Sequence, residues 1–560
     1  MSLSTQFLSS ILGFVKKQDG VSLRAWLRVE PEAPSQYFQL GQELRTQFRG
    51  DASIHSLVDK CLPQRSDGDG DGAAPWLSFI LFMKDYMLYW RDVNFDDLPA
   101  LYAQLSSLLT SCATAFTHPA GPMMLETSVA ISESLAKLAM VLHRRPDLMY
   151  RVQPAGACGG GGAAAAAGAG AGDEERKSLV ESTADAIQKV CTACVTDRSS
   201  ARFARPEGRR VAVYRLANLV LKLLFAGDKA RWAKQMFTNI TNTGPPLAFY
   251  PAAQRVTYLY YLGRFHLENN HFHRAALCLE AAYRQTPTAC RRHRRLILAY
   301  LIPANLLRGV FPSSALLLRP EAADELRPVF APIVAAVRQG NFAAFQAALH
   351  AHEAWLVRHR LLLTLSYRMR PLLWRSLTRR VFLLTYVPPV NGDAIVSSAT
   401  TAAKGRAAPT LDLADLLAAA TLAQHQIEGY VPVAPTPRPR AEHTNTLFMR
   451  AVANNTALAE NASTVVAPST GVRKLRPSEG MVWGNLPVTM ADIESVVSSL
   501  AAQGLMHGFV AHAAGKFAVV GAKAKGAVLA GFPPVAEVMR EQLRESDVDL
   551  DSVPAWVKAP

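Results

Sequence analysis

The sequence predicts an all-α fold, a helical-repeat α-solenoid followed by a C-terminal winged helix. Three observations carry this reading. Apolar residues recur at i, i+3, i+4 spacing through most of the chain. The helical stretches come in pairs separated by short polar turns, the unit of a solenoid in which each hairpin buries its apolar stripe only against its neighbours. Near the C-terminus the pattern changes to helix, helix and two short strands, which is winged-helix order.

In chain order, helical periodicity is clear over Trp76–Asp92, Asp97–Thr117, Met123–His143 and Ser178–Val195. Gly227-Asp228 then separates LANLVLKLLFA from KARWAKQMFTNI. Asn269-Asn270-His271 separates VTYLYYLGRFHLE from FHRAALCLEAAYRQ, and Gly340-Asn341 separates ADELRPVFAPIVAAVRQ from FAAFQAALHAHEAWLV. The second pair fits the tetratricopeptide pattern. Leu262-Gly263 lets two helices approach, Ala275 and Ala282 fill the contact, and Pro287 closes the unit. No second copy at that period is equally clear. Leu411–Leu422 reads as a short helix and Thr489–Leu505 as an amphipathic one. His507–His512 and Lys516–Gly521 read as strands joined by Ala513-Ala514-Gly515.

Two tracts interrupt this pattern, the loop Ser66–Ala74 and the low-complexity run Pro154–Gly172, taken as a surface insertion. Glu428–Pro487 has no sustained period and reads as a long loop or linker. The expected organisation is therefore an N-terminal helical region over 1–200 carrying the insertion 154–172, then a hairpin solenoid over 201–408. A winged helix over 409–535 with a long insertion at about 428–487 follows, and a tail over 536–560 ends the chain.

Of the 560 residues, 49% are hydrophobic and 19% charged, a globular composition. No apolar run is long enough to span a bilayer, so no membrane insertion is expected. The first residues lack a basic n-region and a cleavage site, and seven cysteines do not suggest a disulfide framework. A reducing compartment, cytosolic or nuclear, is expected. The net charge of +15 is concentrated: residues 201–380 carry 28 basic and 8 acidic side chains, net +20. Such a field calls for a polyanion or an acidic partner. The candidate nucleic-acid residues are Arg209 and Arg210 before one helix, Arg291, Arg292, Arg294 and Arg295 on one helical turn, and Arg375, Arg379 and Arg380 on another. Lys516, Lys523 and Lys525 join them on the wing. Tyr258, Tyr260, Tyr261 and Phe265, at helical spacing beside Leu262-Gly263, read as core and not as a base-stacking platform.

Metal and catalytic motifs are incomplete. Cys191-x-x-Cys194 has no second pair, and His266, His271, His273 and His293 have no matching Cys or acidic ligand. His352-Glu353 opens an HExxH in which Leu356 occupies the second ligand position. Asp67, Asp69 and Asp71 begin a calcium loop whose closing glutamate is replaced by Ser78. No enzyme class, cofactor or metal is expected.

Particular strings resemble a known family. TYLYYLGRFHLENNHFHRAALCLEAAYRQTP, followed by RRHRRLILAYLIPANLLRGVFPSSALL, is similar to the core of one branch of the PCI-domain proteins. VRQGNFAAFQAALHAHEAWLV resembles the hairpin preceding that branch's winged helix, and DIESVVSSLAAQGLMHGFVAHAAGKFAVV its recognition helix and wing. The resemblance runs over about Leu216–Phe532, with weaker helical similarity from Gln6 to Arg151. The stretch Glu428–Pro487 and the glycine–alanine tract depart from it. The branch comprises the messenger-RNA export subunit of the TREX-2 complex and its signalosome-associated relatives.

The resemblance implies a non-enzymatic scaffold, nuclear and at the nuclear pore, with a cytoplasmic share allowed. It implies pairing with the larger PCI scaffold subunit of TREX-2 through their winged helices. A small, acidic, disordered subunit of the proteasome-lid type would bind alongside, and RNA or single-stranded nucleic acid would lie on the joined surface. The alternative is a signalosome-associated assembly subunit acting through protein contacts alone.

Overall fold

The computed structural model describes residues 2–62, 76–145, 147–148, 178–386, 408–432, 465–469, 471–522, 526–542 and 553. The loop 66–74, the tract 154–172, Lys523 and Lys525 lie outside the described residues. The chain forms two compact units, 1–287 with 548–560, and 288–547. The stretch read as a single solenoid over 201–408 contributes to both. The mostly helical architecture with a small terminal sheet is the expected one: a helical repeat followed by a winged helix, the PCI-domain fold.

In the first unit the helices Leu77–Asp92, Leu98–Thr117, Leu125–His143, Leu179–Val195 and Val213–Ala226 pack each on the next. Sequence places their starts. Asp97 accepts from the Ala100 amide, and Ser178 and Glu181 form a reciprocal capping box. Apolar faces meet in a core of large rings, with Phe82, Tyr86, Trp90 and Phe116 fully enclosed.

The tetratricopeptide-like hairpin is present as Ala252–Glu268 against Phe272–Gln285. Leu262, Gly263, Ala275 and Ala282 are all buried in it, and Pro287 follows two residues after the second helix. The tight partner of Gly263 is different from the one the pattern suggests. A Cβ there would lie 2.6 Å from Leu279 Cγ, while the nearest Ala275 atom is its carbonyl oxygen at 3.4 Å. Gly263→Leu overpacks this contact and should destabilise the unit by about 1–3 kcal/mol. The drop is read as a lowered melting temperature, and Leu279→Ala in the same chain should recover part of it.

His266, which the sequence leaves without a matching metal ligand, is fully buried in this hairpin, and neither ring nitrogen has a hydrogen-bond partner among the described residues. Burial, helped by His271 and Arg274, pushes its imidazole down to about 3. The unfolded chain, with an ordinary histidine near 6.5, binds a proton over this interval that the folded chain refuses. Stability is therefore complete above about pH 6.5 and declines as pH falls toward 3. His271, also lowered by burial and by Arg274, adds to the same trend. Urea unfolding at pH 7 and pH 4.5 should show a smaller acid loss in His266→Leu than in the wild type.

The second unit begins with helices Arg291–Leu307, Leu326–Gln339, Phe342–Ala351 and Arg370–Thr385. Its sheet has three strands in the order β1 (Thr410–Asp412), β5 (Lys516–Val519), β4 (Gly508–Ala511), with both pairs antiparallel. Helices Leu413–Glu428 and Met490–Ala502 cover it, the latter opened by a Thr489–Asp492 capping box. Leu411, expected in a helix, instead pairs in β1 opposite Phe517. Both side chains are enclosed, and the third strand pairs with the β5 edge that the hairpin alone leaves open.

The stretch expected as an irregular linker is built in part. A short ladder pairs β2 (Val431–Pro432) with β3 (Val465–Val466). Residues 473–485 form a turn stitched to the helices. The Arg370 guanidinium donates to the carbonyls of Ser478 (3.1 Å), Gly480 (2.8 Å) and Val482 (3.3 Å), and also to that of Met481. Gln424 Nε2 donates to Gly484 O at 2.9 Å, and its Oε1 accepts from the Met481 amide at 2.8 Å.

Candidate nucleic-acid interface

The sequence-named cations divide into structural and exposed sets. In the first unit Arg209 and Arg210 tie elements together and do not face solvent as a pair. The Arg209 guanidinium sits over the Phe116 ring at 5.1 Å, donates to the His118 carbonyl and approaches Asp197 at 3.8 Å. Arg210 is buried, with Nε donating to the Asp197 carbonyl at 2.7 Å.

The helix Arg291–Leu307 splits its cluster by phase. Arg291 and Arg292 are exposed, whereas Arg294 is 8% exposed and pairs with Glu321, itself 7% exposed, at 2.9 Å. Arg294 is a core ion pair, which corrects its assignment to a phosphate-facing surface. Arg295 reaches Glu325 at 3.3 Å on a half-exposed edge. Arg291, Arg292 and Arg294 stand in the first helical turn, where the macrodipole disfavours cations by about 0.3–1 kcal/mol each, and Arg295 stands just beyond it. Glutamates offset two of them; among the described residues no carboxylate is paired with Arg291 or Arg292.

On Arg370–Thr385, Arg379 and Arg380 are exposed, while Arg375 is half-buried. Its guanidinium caps the carbonyls of Leu505 (3.2 Å), Phe532 (3.1 Å) and Pro533 (2.6 Å). Burial, then the neighbouring charge of Arg379, pushes it down to about 10. Arg375 and Arg379 come together at one cavity with Arg338, which motif reading passed over because it stands alone in sequence. Lys516 is exposed at the start of β5.

Tyr258 and Phe265 are core, as expected, and Tyr260 and Tyr261 are half-buried. The most exposed rings of the first unit lie elsewhere, at Phe203 (73%) and Trp232 (56%). Each has the preceding arginine against it, Arg202 at 5.0 Å and Arg231 at 5.8 Å from the ring centroid. Adjacent Arg–aromatic pairs were the available sequence signal.

Cys191 and Cys194 are both buried in one helix, where burial pushes the Cys191 thiol up to about 12 and the Cys194 thiol higher still. Neither is suited to act as a thiolate ligand or nucleophile. Among the described residues no group of three His, Cys, Asp or Glu is placed to hold a metal ion, and no helix is long and apolar enough to cross a membrane.

No family model matches the chain. It is similar to a PCI domain-containing protein of Schizosaccharomyces pombe, 24% identical over 439 residues, covering 77% of this chain and 91% of that one. The likeness is to PCI-domain proteins. A second relative, named a CSN12 homolog, of Neurospora crassa, is 31% identical over 216 residues, 38% of this chain and 46% of that one. PCI domain-containing protein 2 of Danio rerio is 29% identical over 206 residues, 37% and 49% of the two chains. The chain thus spans nearly all of the first relative and about half of the other two. These names agree with the PCI-domain fold already described.

Proposed function

We propose that the chain is a non-enzymatic PCI scaffold subunit of a TREX-2-type complex that couples transcription to nuclear messenger-RNA export. It pairs with a larger PCI scaffold subunit and a small acidic subunit, acts in the nucleus at the pore, and contributes to a surface that holds RNA. One observation carries the nucleic-acid part. Arg291 and Arg292 stand exposed at a helix start that disfavours cations, and no carboxylate among the described residues is paired with them. A polyanion supplies the missing countercharge, and the net +20 of residues 201–380 supports the same reading.

A specific observation favours a second reading. The relative from Neurospora is named for CSN12, which supports a signalosome-associated subunit that works by protein contacts alone. Salt dependence separates the two. Each phosphate contact on a single strand adds about 0.7 to the slope of log affinity against log salt. Arg291→Ser, Arg292→Ser and Lys516→Ser together should flatten the slope for oligouridine by about 2. The melting temperature should hold, because solvated cations contribute little to stability. A wild-type chain without salt-dependent RNA affinity supports the signalosome reading instead.

A further inference from the structure

A cavity of about 310 Å³ lies within the second unit, between the Arg370–Thr385 helix and the segment that follows the winged-helix sheet. Its volume is at the lower end of the range for small-ligand sites. Arg338, Arg375 and Arg379 line it together with Leu372, Leu529 and Phe532. Arg375 is fixed there: Nε and Nη2 are used on three carbonyls, which leaves Nη1 without a partner among the described residues. Arg338 lies against Phe311 at 5.1 Å. Among the described residues none of the three arginines is paired with a carboxylate. Three arginines thus line one cavity, and among the described residues no acid is paired with them to offset their charge.

We infer that this cavity binds a small phosphate monoester carrying an apolar or aromatic body. The match is one of oxygens and charge. Guanidinium forks pair with planar or tetrahedral oxyanions. A phosphate monoester presents three terminal oxygens and nearly two negative charges, one oxygen for each arginine. A carboxylate offers two oxygens and one charge, and so does an internal phosphodiester of RNA. The apolar walls at Leu372, Leu529 and Phe532 receive the body of the ligand, which inorganic phosphate lacks. This site is separate from the Arg291–Arg292 surface and does not depend on RNA binding there.

Titration calorimetry of the full chain with phenyl phosphate tests the inference, with inorganic phosphate and benzoate as comparisons. Phenyl phosphate is expected to bind at least tenfold more tightly than either. Arg338→Gln and Arg379→Gln, both on exposed side chains, should each weaken it about tenfold, the loss of one charge-assisted contact, with the melting temperature unchanged. Leu529→Asn should erase the preference for phenyl phosphate over inorganic phosphate. No binding of phenyl phosphate, or binding indifferent to both arginine changes, overturns the inference. So does displacement of phenyl phosphate by an RNA with hydroxyl groups at both ends, because the arginines would then belong to a phosphodiester surface.

Discussion

Arg370→Ala is expected to destabilise the 288–547 unit by about 3–5 kcal/mol, since each buried carbonyl left without a donor costs about 1–3 kcal/mol and part of the turn rehydrates. The Arg370 guanidinium is the donor for the carbonyls of Ser478, Gly480, Met481 and Val482. Burial lowers its affinity for its proton without removing the charge at neutral pH. The turn it closes is tight. A Cβ on Gly480 would fall 1.9 Å from the Gly484 carbonyl oxygen, so only glycine fits there. Amide hydrogen exchange should show residues 473–485 losing protection in Arg370→Ala, together with the facing end of Leu413–Glu428, which is joined to the turn through Gln424. Arg370→Lys supplies a charge but not a fork, and should recover less than half of the loss. Unchanged exchange over 473–485 would mean that the turn holds itself.

Glu321→Ala has a comparable expected effect for a different reason. It leaves Arg294 charged and enclosed, and removing one partner of a buried ion pair costs about 3–5 kcal/mol. Replacing both residues with leucine should be far less damaging, because an apolar pair of similar volume needs no desolvation of charge. A double-mutant cycle by thermal unfolding measures the coupling. Additive losses would place the pair on the surface. The same logic explains why the RNA test leaves Arg294 intact: neutralising it would unfold the helix start and mimic a loss of binding.

Helices were legible because their signal is local. The apolar stripes of Leu98–Thr117 and Leu179–Val195 and their Asp97 and Ser178 caps are written within one segment each. What was missed depends on partners far along the chain. Strand β1 has three residues, and its pairing with β5 joins Leu411 to Phe517, so no period within 410–412 reveals it. The turn at 473–485 looked like linker because the stretch Glu428–Pro487 that holds it has no sustained period. Its order comes from Arg370, more than a hundred residues earlier. The basic cluster at 291–295 was visible in sequence, but not its division. Helical phase turns Arg294 inward, toward a glutamate 27 residues later. The cavity arginines follow the same rule: Arg375 and Arg379 share a helix, and Arg338 joins them only through the fold.

The central claim is that this chain works as a PCI scaffold in a nucleic-acid-carrying assembly, and purification of the tagged chain from its native nuclei tests it most directly. The account predicts a stoichiometric larger PCI-domain subunit, a small acidic subunit and cross-linkable RNA, with RNA but neither subunit reduced by the Arg291, Arg292 and Lys516 changes. Recovery of the chain with signalosome subunits and no RNA, or as a lone monomer, would contradict it.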